Sequence, residues 1–279
     1  MSLRINLNSA ALSAHRQLQN TDKALGVSIE RLSSGFRINR AADDPAGLAI
    51  SENLRAQVSG LAQAISNSSD AVNLIKTAEG ALTEVHSLLR TMRNLAVHAA
   101  NSGANDSTSI DADETQMASA VAALDRIAEN TQFGTVTLLN GAAGDPTSDL
   151  VLTFQIGSNK DQTTTVTIGP CTSTELGVNA LDISDATNAG AAIDTIDAAI
   201  KTVSTLRANL GAAQMELESN INSLSVAREN IAASESTVRD TDMAAEMVSF
   251  TRNQILLQAG TAMLTQANAA PQSLLSLLR

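Results

Sequence analysis

Three histidines, one cysteine and a few clustered carboxylates are the side chains of this 279-residue chain best able to do chemistry. His15, His86 and His98 fall at intervals that match no metal-ligand spacing. Asp111-Ala112-Asp113-Glu114 begins like a calcium loop, but lacks both the turn glycine and the distal glutamate that close one. Asp43 and Asp44 could share a proton; followed by Pro45, they read more simply as a helix cap ahead of a first-turn proline. Cys171 stands beside Pro170 in a threonine-rich stretch with no base to activate it, and a single cysteine forms no intramolecular disulfide. No glycine-rich phosphate loop and no paired nucleophile and base occur. Asn67-Ser68-Ser69 and Asn105-Asp106-Ser107 match the N-glycosylation pattern, the first of them within a helical segment. Met243, Met247 and Phe250 could form an adaptable recognition face, but read better as a core or inter-subunit stripe. The expectation is no enzyme, no metal and no cofactor.

The bulk composition points the same way. The chain has no Trp or Tyr, four Phe (Phe36, Phe133, Phe154 and Phe250), and a net charge of −11. Aromatic stacking platforms and a basic phosphate-gripping surface are both missing, which argues against nucleic-acid binding. Its hydrophobic content lies in Ala, Leu, Ile and Val, side chains that suit closely packed helices. Six basic residues (Arg4, Arg16, Lys23, Arg31, Arg37 and Arg40) stand against Asp22 and Glu30 in residues 1–40, so the N-terminal stretch is basic and the remainder acidic. No apolar run is long enough to span a membrane, and the N-terminus lacks the pattern of a cleaved secretory signal.

The elements show in the periodicity. Over residues 196–238 an aliphatic residue recurs every seven: Ile196, Val203, Leu210, Leu217, Leu224, Ile231 and Val238, with Ala199, Leu206, Ala213 and Ala227 between them. Such a repeat keeps one narrow stripe against another helix. At 1.5 Å per residue that helix would be on the order of 65 Å long, so a partner of equal length is required. Residues 45–100 supply it. Leu54, Leu61, Ser68, Ile75, Leu82, Leu89 and Ala96 recur at seven, with Val58, Ile65 and Val72 beside the first three. A shorter helix is expected over 110–131, buried through Val121, Leu124, Ile127 and Ala128.

Between 133 and 178 the period falls to two. Leu150, Leu152, Phe154 and Ile156 alternate with polar residues, Gly157 to Asp161 form a turn, and Thr163 to Ile168 return as a second strand. At the N-terminal end, Ala11, Leu18, Leu25 and Leu32 make a thin stripe interrupted by Asn6, Asn8, His15 and Asp22. At the C-terminal end, Met243, Phe250, Leu257 and Leu264 form another, out of phase with the seam before Val238; Gly260 lies within this helix and Pro271 is expected to end or kink it. Stripes so narrow hold a helix only against a partner. The expected fold is mainly α: an elongated antiparallel helical bundle or coiled coil with a small β-hairpin region, plus paired terminal helices. The expected division is an N-terminal arm (1–44), a first bundle half (45–131), a hairpin region (132–184), a long second helix (185–238) and a C-terminal arm (239–279).

Residues 33–50, Ser-Ser-Gly-Phe-Arg-Ile-Asn-Arg-Ala-Ala-Asp-Asp-Pro-Ala-Gly-Leu-Ala-Ile, closely resemble bacterial flagellin. So do Thr77-Ala78-Glu79-Gly80-Ala81-Leu82, Thr131-Gln132-Phe133, and the end of the chain from Arg252-Asn253-Gln254-Ile255-Leu256 through Gln258-Ala259-Gly260-Thr261 and Gln266-Ala267-Asn268 to Pro271-Gln272 and the closing Leu-Leu-Ser-Leu-Leu-Arg. The resemblance covers both terminal thirds in order. It implies a subunit that polymerises into the flagellar filament for motility, its end helices pairing as a coiled coil along the inner channel and its bundle forming an outer tube. It also implies unfolded, unprocessed export by the flagellar type III route, and an extracellular location. The partners it implies are a filament cap protein, a hook-associated junction protein and a flagellin export chaperone.

Two departures from the family pattern stand out. The hairpin leads almost directly to the long helix through Leu176-Gly177-Val178, so the large variable outer domains of many flagellins are absent. The segment that enteric flagellins present to Toll-like receptor 5 reads Thr-Met-Arg-Asn-Leu-Ala-Val-His at 91–98: Arg93, Leu95, Ala96 and Val97 match, while Thr91 and Asn94 replace charged residues. Gln116 occupies the place of a second contacting glutamate. Neutral hydrogen bonds contribute less than charged ones, so weakened receptor recognition is expected. A hook–filament junction protein and a coiled-coil scaffold or surface adhesin are the competing readings.

Overall fold

The helices follow from the caps as much as from the periodicity. In a computed structural model, which describes residues 8–101, 103, 105–142 and 147–277 (side chains to 269), the chain forms five helices and two small antiparallel sheets among the described residues. Helix α1, Ser9–Ser34, starts where the Asn8 side chain accepts the Ala11 N–H at 3.0 Å. It stops at Gly35, whose φ of 76° is left-handed and suits a residue without a Cβ. Helix α2, Pro45–Ala99, is capped by the Asp44 carboxylate on the Gly47 N–H at 2.9 Å, with Pro45 in the first turn where its missing N–H costs nothing. Helix α3, Ser107–Asn130, begins at the Asp106 cap, three residues before the expected start. The nearby Asn105 amide bonds the His98 carbonyl at the end of α2.

Strands β1, Gln132–Phe133, and β2, Val136–Thr137, form a tight ribbon. Strands β3, Leu150–Gln155, and β4, Thr163–Ile168, pair antiparallel with Leu150 opposite Ile168 and Gln155 opposite Thr163. Val166 and Ile168 point into the core while Val151, on the other face, is 59% exposed, which is the alternation of a half-covered hairpin. Helix α4, Ala186–Arg239, and helix α5, Met243–Leu277, are separated by a short break. There the Asp242 carboxylate accepts the Ala244 and Ala245 N–H groups and starts α5 afresh. The shift in heptad phase after Val238 is thus a physical interruption of the helix. Pro271 does not end α5, which continues to Leu277.

The chain divides into two compact units: Met1–Val58 with Asn230–Arg279, and Ser59–Glu229. Both boundaries fall inside long helices, α2 and α4, whereas the sequence placed the arm limits at 44/45 and 238/239. In the central unit α2 and α4 run antiparallel, as two ion pairs show: Arg93 to Asp197 at 2.6 Å and Arg207 to Glu79 at 3.5 Å. The α2 seam residues Leu61, Ser68, Ile75, Leu82, Leu89 and Ala96 are buried, and Leu54 is half-buried. Their companions lie three residues on, at Ala64, Ala71, Ala78, Val85, Met92 and Ala99, all buried. Of the flanking residues read from the sequence, only Val72 is buried, while Val58 and Ile65 are half-buried.

On α4, Ile196, Val203, Leu210 and Leu217 are buried, as is Ala199, while Leu224, Ile231 and Val238 are only half-buried. Burial weakens where α4 approaches the limit of the central unit. Helix α3 adds Met117, Leu124 and Ala128 to this core, and the β region adds Leu138, Leu139, Ile168, Cys171, Val178 and Ile183. Asp125 of α3 accepts both the N–H and the hydroxyl of buried Ser173, each at 2.8 Å, and so ties the loop after β4 to the helix. Residues 169–185 alone separate β4 from α4, so no outer domain intervenes.

Candidate functional site

The chemically suggestive side chains are dispersed. His98 Nδ1 pairs with Asp113 Oδ2, linking α2 to α3, and no group of histidine, cysteine and carboxylate side chains among the described residues could hold a metal ion. Cys171 is fully buried; burial pushes its thiol up to about 12, the opposite of an activated nucleophile. Asn67 sits mid-helix and its amide donates to the Gln155 carbonyl at 3.1 Å, so this acceptor pattern is already engaged in packing. Asp43 serves a turn: the backbone N–H groups of Arg40 and Asn39 bond its carboxylate and hold it below the ordinary range. Asp44 caps, so the two carboxylates share no proton. No helix among the described residues is long and apolar enough to cross a membrane.

What the structure builds instead is a pairing of the chain's two end helices. Helices α1 and α5 run antiparallel, with Asn8 at Ala267, Leu18 at Gly260 and Arg31 at Glu246. Ala11, Leu18, Leu25 and Leu32 all lie half-buried on the facing side of α1, and Phe250, Leu257 and Leu264 do so on α5. Met243 does not join them: in phase with Phe250 but the first residue of α5, it is 47% exposed. The remaining seam positions are small or polar. On α1 they are Ala14, Thr21 and Ser28, the last two buried; on α5 they are Glu246, Asn253, Gly260 and Ala267, each half-buried. A Cβ at Gly260 would stand 2.9 Å from Leu18 Cδ1, so this glycine is the hole that receives the leucine.

The base of this pair is fastened to the helix break. Phe36 and Asp240 form an isolated antiparallel bridge, with Arg37 N–H bonding Arg239 O at 2.7 Å and Thr241 N–H bonding Gly35 O at 2.9 Å. The Arg37 guanidinium reaches Val238 O at 2.6 Å. Arg239 lies 4.8 Å over the Phe36 ring and donates to Glu52 at 2.7 Å, while its buried Nε has no hydrogen-bond partner. Sequence periodicity identified the apolar part of the seam. The glycine hole, the polar positions and the Phe36–Arg239 clasp escaped it, because none of them carries an apolar repeat.

Among the described residues, pairing leaves an exposed apolar face on α5. Met247, Val248, Ile255 and Leu256, with Thr251 and Arg252, line a shallow groove there, and Met263 further along is 64% exposed. Leu12, Val27 and Ile29 are exposed on α1. Elsewhere, Thr91 and Gln116 are exposed on the surfaces of α2 and α3, Leu95 is half-buried, and Arg93 is held by Asp197. The hydrogen bond between these two lowers the Asp197 pKa and raises that of Arg93.

Comparison with known proteins accounts for this architecture. The model of the bacterial flagellin N-terminal helical region matches residues 5–143, and that of the C-terminal helical region matches residues 193–278. The chain is 45% identical over 287 residues to a flagellar filament 33 kDa core protein of Treponema phagedenis, covering 99% of both chains. It is 43% identical to the flagellin of Bacillus subtilis (strain 168), covering 99% of this chain and all of that one. A solved structure from Vibrio parahaemolyticus, described as a flagellar hook-associated protein, shares the fold at a TM-score of 0.59 and 15% identity, covering 71% of this chain and all of that one. With both helical regions matched and relatives covered along nearly their whole length, this chain belongs to the bacterial flagellin family, as a short form without the large variable outer domains.

Proposed function

We propose that the protein is the structural subunit of a bacterial flagellar filament and that the α1–α5 pair is its assembly element. The single observation that carries this reading is the full-length identity to a flagellar filament core protein, extending through both end helices. The exposed apolar face of α5 supports it, since a contiguous apolar strip on a paired helix marks a surface that another subunit covers. Assembly proceeds by heterologous contacts: one surface of a subunit meets a different surface of the next, and a rotation that does not close produces a helical polymer. The subunit reaches the growing tip unfolded through the flagellar type III channel, and ends up outside the cell. A cap protein at the tip, a hook-associated protein at the base and an export chaperone on the C-terminal arm complete its partners. The arms 1–44 and 239–279 order on incorporation, and residues 45–238 supply the part that folds beforehand.

Heat-depolymerised subunits regrown on short seeds and watched by electron microscopy test this directly. Subunits lacking residues 1–33 or 243–279 are expected to stay helical and fail to elongate. Normal elongation by either would overturn the role of the arms. A hook-associated protein would not form filaments from purified subunits alone.

The receptor surface follows from the same reading. Arg93 is already engaged by Asp197, and Thr91 and Gln116 offer neutral groups. Activation of Toll-like receptor 5 is therefore expected to be weaker than with enteric flagellins, and a cell reporter giving enteric-like potency would refute it.

A further inference from the structure

A proline inside a helix leaves a carbonyl without its donor. In α5 the carbonyl of Ala267 would normally accept from the N–H of residue 271, but a proline has none to give. The Asn8 side chain fills the gap from the other end of the chain: its Nδ2 donates to Ala267 O at 2.8 Å. The same side chain turns its Oδ1 to the Ala11 N–H at 3.0 Å and starts α1. One amide thus satisfies an orphan donor of one helix and an orphan acceptor of its partner.

We infer that Asn8 is a positioning residue that pins the register of α1 against α5 by replacing the backbone donor that Pro271 lacks. Thin, small-residue seams specify register weakly, because sliding by a heptad exchanges one small residue for another. The α1 seam repeats Leu18, Leu25 and Leu32 at equal spacing, so apolar packing alone tolerates such a slide. Ahead of its last turn, α5 contains one proline, so the carbonyl at 267 is the one there that loses its i+4 donor, and the observed register brings Asn8 to it. Gly260 under Leu18 and Glu246 beside Arg31, at 3.6 Å, mark the same register further along. This inference deepens the assembly reading and rests on it for its filament readout.

The test separates the two halves of the amide. Asn8→Asp keeps the oxygen that caps α1 and loses the donor to Ala267. Pro271→Ala restores the helix's own donor to that carbonyl. Full-length wild type, N8D, P271A and N8D/P271A are compared by amide hydrogen exchange over α1 and residues 264–270 in seeded filaments, where the arms are ordered, together with the temperature at which filaments dissociate. N8D is expected to lose about tenfold in protection, the scale of one net hydrogen bond and an added carboxylate–carbonyl repulsion. P271A is expected to restore most of that loss in the double variant while changing wild type little. N8D as protected as wild type, or a double variant no better than N8D, overturns the pin. Wild type that fails to elongate refutes the assembly reading separately, and with it the ordering of the arms on incorporation; the pin is then judged by the same exchange in the soluble subunit, where an unprotected wild-type arm overturns it.

Discussion

At the scale of single residues, burial decides what each side chain can do. Leu82 and Leu89 are fully buried in the α2 seam, and truncating either to Ala is expected to cost about 2–5 kcal/mol, read from the denaturant midpoint of the soluble subunit. Exposed Met215 on α4 offers the contrast: its replacement by Gln should leave that midpoint nearly unchanged. Gly260 discriminates between two substitutions. Its neighbour Leu18 Cδ1 is the free end of a flexible side chain, so G260A should be tolerated, offset by about 1 kcal/mol of helix propensity. G260V adds two methyl groups in a stiff rotamer and should lower the filament dissociation temperature. Cys171 should resist alkylation at pH 8 in the folded subunit and react once denaturant is added. Its folded pKa, about 12, exceeds the ordinary value of 9.0, so its contribution is complete below pH 9 and is lost as pH rises toward 12. At the acid end, Asp43, Asp182 and Asp197 all have lowered pKa values, so their contributions are present above the ordinary 3.8 and are lost as pH falls through the lowered values. Melting temperature against pH should therefore be flat in the middle and fall at both ends.

At the scale of elements, the long helices and the hairpin were legible in the sequence because each carries a repeat that matches its geometry. Ile196, Val203, Leu210 and Leu217 appear at one period, Leu150, Leu152 and Phe154 at another, and the structure places both sets inward. The companion stripe of α2 was less legible, since Ala64, Ala71 and Ala78 look in the sequence like any helix-forming alanine. The stop that Pro271 suggests does not occur for a definite reason: a side chain 263 residues earlier supplies part of what the proline removes. The clasp at Phe36 and Arg239 could not be read at all, being a contact between two breaks in periodicity. Arg239→Ala removes a guanidinium that holds both the Phe36 ring and Glu52, so the amides of Arg37 and Thr241 should exchange faster, by about tenfold. Glu52→Gln should have a smaller effect, since the ring contact survives.

At the scale of the whole molecule, the two compact units differ in how the chain contributes to them. One is a single stretch, Ser59–Glu229; the other is made of both ends, Met1–Val58 and Asn230–Arg279. The pairing of Leu18 with Gly260 therefore has an extreme sequence separation. Joining those points in an open chain of that length costs about 5 kcal/mol in loop-closure entropy alone, a large penalty for a narrow seam whose leucines are only half-buried. Once the continuous middle has folded, the effective loop is far shorter and the cost falls with it. The end helices are thus the last contacts to form, and whatever keeps the middle of the chain extended also keeps its two ends apart. High contact order here acts as a timer: the α1–α5 pair, proposed above as the assembly element, is completed only after the rest of the subunit is in place.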